Sequence, residues 1–322
     1  MRPSLLSIPM RYFMEVAQVG SVNQAAARLF VAASAVSRQI AKLEDALGTP
    51  LFERHHQGMA LTAAGQRLAG HLRNTLLDAD QVLEEVRSLG GQASGRVRVC
   101  CTEGFASGFM QVLMRDFQLA EPMAGIELYV GAPEEVSQRV LRGEADIGLK
   151  YVVAPEAGLR VEHTAPAPVL AVMRPEHPLA RGRTVQLAQA VRHPLLVGSP
   201  GVTARQLLDL ACSAQGLQYR PLFVSNFSSV MLPLLRERDI MLSGQLTIAS
   251  LVEAGTVVAR PFDEPMLQQR RVQALSLQGR TLPPLVRAFV VRMVESMDAQ
   301  GRRQLGRASR GALPSKRPAG RR

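Results

Sequence analysis

At 322 residues and 47% hydrophobic, the chain holds material for about two or three domains that each bury a core, which excludes a wholly disordered protein. Cys100, Cys101 and Cys212 are odd in number and too few for a disulfide framework, so they point to a reducing compartment. The net charge is +11, yet eight basic residues and no acid follow Gly301, so residues 1–300 carry only +3 and charge alone does not argue for a polyanionic partner.

The first 60 residues read as short helices with sharp punctuation. Pro9 suits a first helical turn, Met10, Phe13, Val16 and Ala17 follow at helical spacing, and Gly20 ends the helix. Ser21 with Gln24 three residues on forms a capping-box start for a second helix through Leu29, and a third runs from about Ser34 to Leu47. In the third, Val36, Ile40, Leu43 and Leu47 share one stripe; Ser34 and Arg38 lie opposite, with Ser37 and Lys42 at the flanks. Leu51-Phe52-Glu53-Arg54 and Met59-Ala60-Leu61 flank His55-His56-Gln57-Gly58, an interruption of hairpin size that reads as a wing.

Thr62 is a natural N-cap for a long helix to about Leu89, in which Leu72, Ala79 and Val86 repeat every seven residues, interleaved with Leu76 and Leu83. A lone helix cannot bury such a seam, so the same helix of a second subunit is its expected partner, and Gly90 to Gly95 reads as a hinge. Strands then alternate with helices. Val97 to Cys101, Ile126 to Val130 and Ile147 to Leu149 alternate with helices around 110–119 and 134–142, a pattern expected of a parallel α/β sheet. It repeats with strands near 169–173, 195–197 and 222–224, and closes with Arg271 to Ser276 and a helix from Pro284 to Met297. Beyond Gly301 the near absence of large apolar side chains predicts a disordered basic tail. No apolar run approaches 18 residues and the first ten residues lack a signal-peptide stretch, so a cytoplasmic protein with no membrane partner is expected.

In register across residues 10–68 stand Gly20-Ser21-Val22-Asn23-Gln24-Ala25-Ala26-Ala27-Arg28-Leu29, Ser34-Ala35-Val36-Ser37-Arg38-Gln39-Ile40, Leu43-Glu44, Leu47-Gly48, Pro50-Leu51-Phe52-Glu53-Arg54 and Leu61-Thr62-Ala63-Ala64-Gly65. This set closely resembles the LysR-type transcriptional regulators, and Gly143-Glu144-Ala145-Asp146-Ile147-Gly148 and His193-Pro194-Leu195 are similar to that family's sensor domain. The resemblance implies an α/β chain with a winged helix-turn-helix (1–62), a dimerising linker helix and hinge (63–95), and a two-lobed effector domain similar to periplasmic binding proteins (96–300), ahead of the tail (301–322). Lobe I is expected at 96–166 and 266–300, lobe II at 167–265. Such a protein pairs as a homodimer or homotetramer, binds double-stranded promoter DNA and answers to a small-molecule effector. Departures from the family pattern are Ala32-Ala33 in place of a polar pair, Gln57 and Ala60 where the wing usually carries arginine, and Arg236-Glu237-Arg238-Asp239 in place of a Gly-rich turn.

A helix laid in the major groove brings its N-terminal side chains to base edges, so Ser34, Ser37, Arg38 and Lys42 are the expected contacts, with Arg54, His55 and His56 of the wing on phosphates. No third ligand has helpful spacing for a metal at the histidines. Ligands of α/β sheets sit beyond the carboxyl ends of strands, which selects Thr102, Pro133, Lys150, Tyr151, Ser199 and Thr203 as effector contacts. Hydroxyls and backbone N–H groups there suit a small carboxylate or other anion. Cys100 and Cys101 point to opposite faces of their strand and read as core thiols. No phosphate loop or Ser-His-Asp spacing signals an enzyme, and no cofactor is implied. The competing expectation is a cytosolic small-molecule-binding α/β protein with a non-specific DNA-binding appendage.

Overall fold

The computed structural model describes residues 6–55, 58–88, 95–154 and 156–310, and only the backbone at 80, 81, 84–88 and 302–310. His56, Gln57 and most of the expected hinge lie outside the described residues. Contacts divide the chain into two compact units, Met1–Ala93 with Gly279–Thr281, and Ser94–Gln278 with Leu282–Arg322.

The first unit contains α1 (Ile8–Val19), α2 (Val22–Leu29), α3 (Ala33–Leu47), a hairpin of β1 (Phe52–His55) and β2 (Gly58–Leu61), and α4 (Ala63–Ser88). Gly20 closes α1 in the left-handed region and the Ser21 hydroxyl accepts from the Gln24 N–H, as the sequence leads one to expect. Phe13, Val16, Ala25, Val36, Ile40, Leu51 and Leu72 form one buried cluster. Leu47, placed on the stripe by periodicity, is instead exposed, because α3 outruns the core by one turn. Leu72, counted as part of the coiled-coil seam, is spent inside this unit.

The second unit holds two five-stranded sheets. In the first, β3 (Arg96–Cys101) runs parallel to β4 (Gly125–Val130) and β5 (Ile147–Val152), while β12 (Arg271–Leu277) lies antiparallel to β5 and to β6 (Leu159–Pro166). Its helices are α5 (Glu103–Phe105), leading through a π turn at Ala106–Met110 into α6 (Gln111–Ala120), then α7 (Pro133–Leu141) and the C-terminal α13 (Pro284–Arg310). In the second, β8 (Leu195–Gly198) is parallel to β9 (Pro221–Ser225) and β10 (Ile240–Ser243), and β7 (Leu170–Met173) is antiparallel to β10 and β11 (Val258–Pro261). Around it lie α8 (Leu187–Ala190), α9 (Thr203–Ala214), α10 (Ser228–Met231), α11 (Gln245–Glu253) and α12 (Pro265–Gln268).

Two expectations are corrected. The sheets are mixed rather than parallel, because the chain crosses between them twice and the crossing strands return antiparallel. The backbone of α13 continues to Arg310, well into the stretch expected to be a tail; residues 311–322 lie outside the described residues.

The Gly143 to Gly148 segment acquires a physical reason in this frame. Gly143 turns the chain at φ +69°, and the buried Asp146 carboxylate accepts from the Arg98 N–H at 2.8 Å and from its guanidinium at 2.7 Å, locking β3 to β5. A side chain at Gly148 would meet Val140 at 2.8 Å, so only glycine lets α7 lie on β5.

Candidate nucleic-acid interface and ligand cavity

Helix α3 buries Val36, Ile40 and Leu43 and turns Ser34, Ser37, Arg38 and Lys42 to solvent, so the four residues selected from the sequence share an exposed surface. Ala32 supplies no side-chain cap, and the Ala35 N–H turns back to the Ala32 carbonyl at 3.0 Å. The preceding turn is tight enough to hold Phe30 at φ +56° with its side chain 93% exposed, an uncommon backbone state for so bulky a residue.

The hairpin is fixed beside this helix by two devices. Glu44 Oε1 accepts the N–H groups of Leu51 at 2.7 Å and Phe52 at 3.2 Å, which ties the start of β1 to α3. Met59 donates its N–H to the Gly20 carbonyl at 2.8 Å, and Gly58 at φ +136° has no room for a Cβ, which would lie 2.5 Å from that same oxygen. Arg54 and His55 are exposed on β1, with His55 Nε2 3.5 Å from the Glu53 carboxylate; His56 lies outside the described residues. Thr62 caps α4 by accepting from the Gly65 N–H at 3.0 Å, and its hydroxyl donates to the Pro50 carbonyl at 2.9 Å.

In the second unit, Thr102, Pro133, Tyr151, Ser199 and Thr203 line a single cavity of about 610 Å³ between the two sheets' strand ends. Thr203 begins α9 and its hydroxyl donates to the Tyr151 carbonyl at 3.4 Å, joining the two lobes across the cavity floor. Lys150 is a correction. It does not line the cavity, because side chains alternate along β5 and its neighbour Tyr151 takes the inward face. Lys150 is 3% exposed and donates to the Ser137 hydroxyl at 2.5 Å, to Glu156 and to the Pro133 carbonyl at 3.4 Å.

Among the polar residues of this cavity that the sequence did not single out are Glu103, Thr247 and Arg270. Arg270 is 2% exposed; its Nε donates to the Ala167 carbonyl at 2.8 Å, and its Cζ lies 4.0 Å from the Tyr151 ring centre. No periodicity marks such a residue, since its hydrogen-bond partners are backbone carbonyls from remote segments. Glu103 follows Thr102 at the start of α5. Its carboxylate crosses between lobes to accept the N–H and hydroxyl of Ser228 and the N–H of Ser229 at 3.1 Å. Cys100 and Cys101 are both buried, and burial pushes their thiols up to about 12, so neither carries thiolate character at neutral pH. Among the described residues no helix is long and apolar enough to cross a membrane.

Two family descriptions match this chain, "Bacterial regulatory helix-turn-helix protein, lysR family" over residues 9–66 and "LysR substrate binding domain" over residues 90–298. The HTH-type transcriptional regulator XapR of Escherichia coli (strain K12) is 31% identical over 209 residues, 64% of this chain and 71% of that protein. The HTH-type transcriptional activator CmpR of Synechocystis is 26% identical over 197 residues, 61% of this chain, and DgdR of Burkholderia cepacia 30% over 140 residues, 44% of this chain. The matched stretch spans 64% of CmpR and 47% of DgdR, less than two thirds of either. Two solved structures share the fold. Full-length OxyR from Pseudomonas aeruginosa, in a Cys-to-Asp variant, has a TM-score of 0.55 at 19% identity, covering 92% of this chain and 95% of its own. Full-length CbnR complexed with its target DNA has a TM-score of 0.52 at 20% identity, covering 89% and 98%. An exposed-face helix held beside a hairpin, a two-lobed cavity domain and family matches over both parts lead to one assignment: the chain belongs to the LysR family of bacterial helix-turn-helix transcriptional regulators.

Proposed function

We propose that this chain binds promoter DNA sequence-specifically through α3 and its wing, and that a small molecule held in the 610 Å³ cavity modulates that binding. The observation that carries the reading is the two-sidedness of α3. Val36, Ile40 and Leu43 hold it to its own core, while Ser34, Ser37 and Arg38 stand together on the free side with Lys42 one turn on. Arg38 is the base reader, since its planar fork can take a bidentate contact to guanine worth about 1–3 kcal/mol of discrimination. Ser34 and Ser37 reach bases or phosphates, and Lys42, Arg54, His55 and His56 phosphates. Residues 1–62 form the reading domain, 63–95 the dimerising helix and hinge, and 96–300 the effector domain, in which Thr102, Pro133, Tyr151, Ser199 and Thr203 face the ligand. Two such chains present two reading helices to a pseudo-palindromic site, in the cytoplasm where the DNA lies.

The test is footprinting on the DNA flanking the chain's own gene, with Arg38→Ala as the comparison. The intact protein protects a defined site at moderate salt, and the variant binds it about tenfold or more weakly while its affinity for unrelated duplex changes little. Equal loss on specific and unrelated DNA would reduce Arg38 to a phosphate contact. The absence of any protected site would sink the reading as a whole.

A further inference from the structure

Resting on the reading of the cavity as the effector site, we propose that its occupant is a small amphoteric molecule, with an acidic group at the N-terminus of α11 beside Arg270 and a cationic group facing Glu103 and Glu134. The cavity is bipolar, and its two poles sit on different elements.

At the positive pole, Gly244 caps the nine-residue α11 and offers no side chain to its first N–H groups. A Cβ at Gly244 would lie 2.5 Å from the Tyr151 hydroxyl and 2.8 Å from Arg270 Nη2, so glycine here is what lets both polar groups reach the helix start. The Arg270 guanidinium is buried with no carboxylate paired to it among the described residues; its Nη2 donates to the carbonyls of Pro168 at 3.1 Å and Ser243 at 3.4 Å. Carbonyl dipoles and a ring face solvate a buried cation without cancelling its charge, and an entering acid would supply the missing counter-charge. The Thr102 hydroxyl is likewise buried without a hydrogen-bond partner among the described residues, and the Tyr151 hydroxyl lies buried beside the Thr247 side chain. Buried polar groups are ordinarily satisfied, so the Thr102 hydroxyl marks where a polar atom of a ligand belongs.

The negative pole is built from carboxylates. Glu103 already occupies the start of α10, taking the Ser228 N–H at 2.8 Å together with the Ser228 hydroxyl and the Ser229 N–H. An ionised carboxylate accepts about four hydrogen bonds, so about one position and the full charge remain. Glu135 likewise turns back on the Ala132 N–H at 3.0 Å at the start of α7. Glu134 beside it is exposed on the cavity wall with no hydrogen bond or ion pair among the described residues. A ligand bearing only acid meets three lining carboxylates against one guanidinium, and one bearing only a cation leaves Arg270 unmatched. A molecule with both charges satisfies both poles, which narrows the sequence-based expectation of a simple anion.

Thermal shift of the full-length protein tests this with the twenty L-α-amino acids, their N-acetyl forms and their methyl esters at fixed ionic strength, beside a set of amine-free aliphatic and aromatic carboxylates. At least one amino acid raises the midpoint by several degrees, and its N-acetyl and ester forms bind tenfold or more weakly. Glu134→Gln, a change at an exposed position, weakens that amino acid at least threefold and leaves its N-acetyl form unchanged. Amine-free carboxylates giving the same shift would overturn the amphoteric ligand and leave the cavity as the effector site; silence from every compound would overturn both.

Discussion

Lys150 and Tyr151 are neighbours in sequence, yet they sit on opposite faces of β5, and that alternation decides what each can do. Tyr151 joins the cavity wall; Lys150 is buried and pairs with Glu156, which stays exposed at the surface. Burial alone would raise the Glu156 carboxyl, but hydrogen bonds from Lys150 and Ser137 and the charge of Lys150 outweigh it and hold the group below its usual 4.5. A carboxyl depressed in the folded state stabilises fully above the unfolded value, and that stabilisation disappears as pH falls through the folded one. Glu156→Gln should therefore lower the melting midpoint at neutral pH by several degrees, since it strands a buried ammonium. The gap between the two proteins should close as pH falls below about 4.5 in a series of thermal melts; a pH-independent gap would assign Glu156 to packing instead. The same pair shows what the sequence could and could not reveal. The rule that ligands gather beyond strand ends selects positions, and it found Thr102, Pro133, Tyr151, Ser199 and Thr203, but it does not choose faces, so it admitted Lys150. Arg270 was invisible for a different reason: what makes it part of the site is the convergence of Ala167, Pro168 and Ser243, segments distant in the chain.

Elements were legible where local chemistry repeats and less so where pairing is remote. The capped helices α1 to α3 and the hairpin follow from Ser21, Gly20 and Gly48 and from apolar spacing. Strand β6 carries Arg160, Glu162, His163 and Thr164, too polar to announce a strand, and it exists because β12 offers it a ladder. Helix α4 permits a direct test of two glycines in one element. A Cβ at Gly65 would lie 2.1 Å from the Leu51 carbonyl oxygen, which is backbone and held in place because Leu51 donates its own N–H to Glu44. At Gly70 a Cβ meets nothing within 4 Å among the described residues. Alanine gains about 0.5–1 kcal/mol over glycine inside a helix, and overpacking costs about 1–3 kcal/mol. The clash should win at Gly65 and the propensity at Gly70. Gly65→Ala is expected to lower the unfolding midpoint and weaken DNA binding by displacing the wing from α3, whereas Gly70→Ala should raise the midpoint slightly. Changes of the same sign in both variants would show that α4 moves freely over Leu51.

At the scale of the whole molecule, the second unit leaves apolar side chains exposed along two of its borders. One border follows α6 and the turn after it, with Val112, Leu119 and Met123 exposed, Leu119 at 76%. The other follows the edge strand β9 and α10, with Leu222, Val224 and Val230 exposed. Scattered apolar residues on a surface need no explanation, but an apolar outward row on an unpaired edge strand invites association unless something covers it. A second copy that covered both borders about a two-fold axis would make every such contact occur twice. That duplication predicts an outsized effect from a single substitution. With such a pairing, Leu119→Asp or Val224→Asp, both at exposed positions, would place a charge into both copies of the contact. Either should shift the protein towards lower mass in light scattering behind a sizing column and weaken binding to a two-half-site operator far more than to one half-site. If mass and two-site binding were unchanged in both variants, assembly would rest on the Leu76 and Leu83 seam of α4, and the exposed borders of the second unit would belong to a different partner.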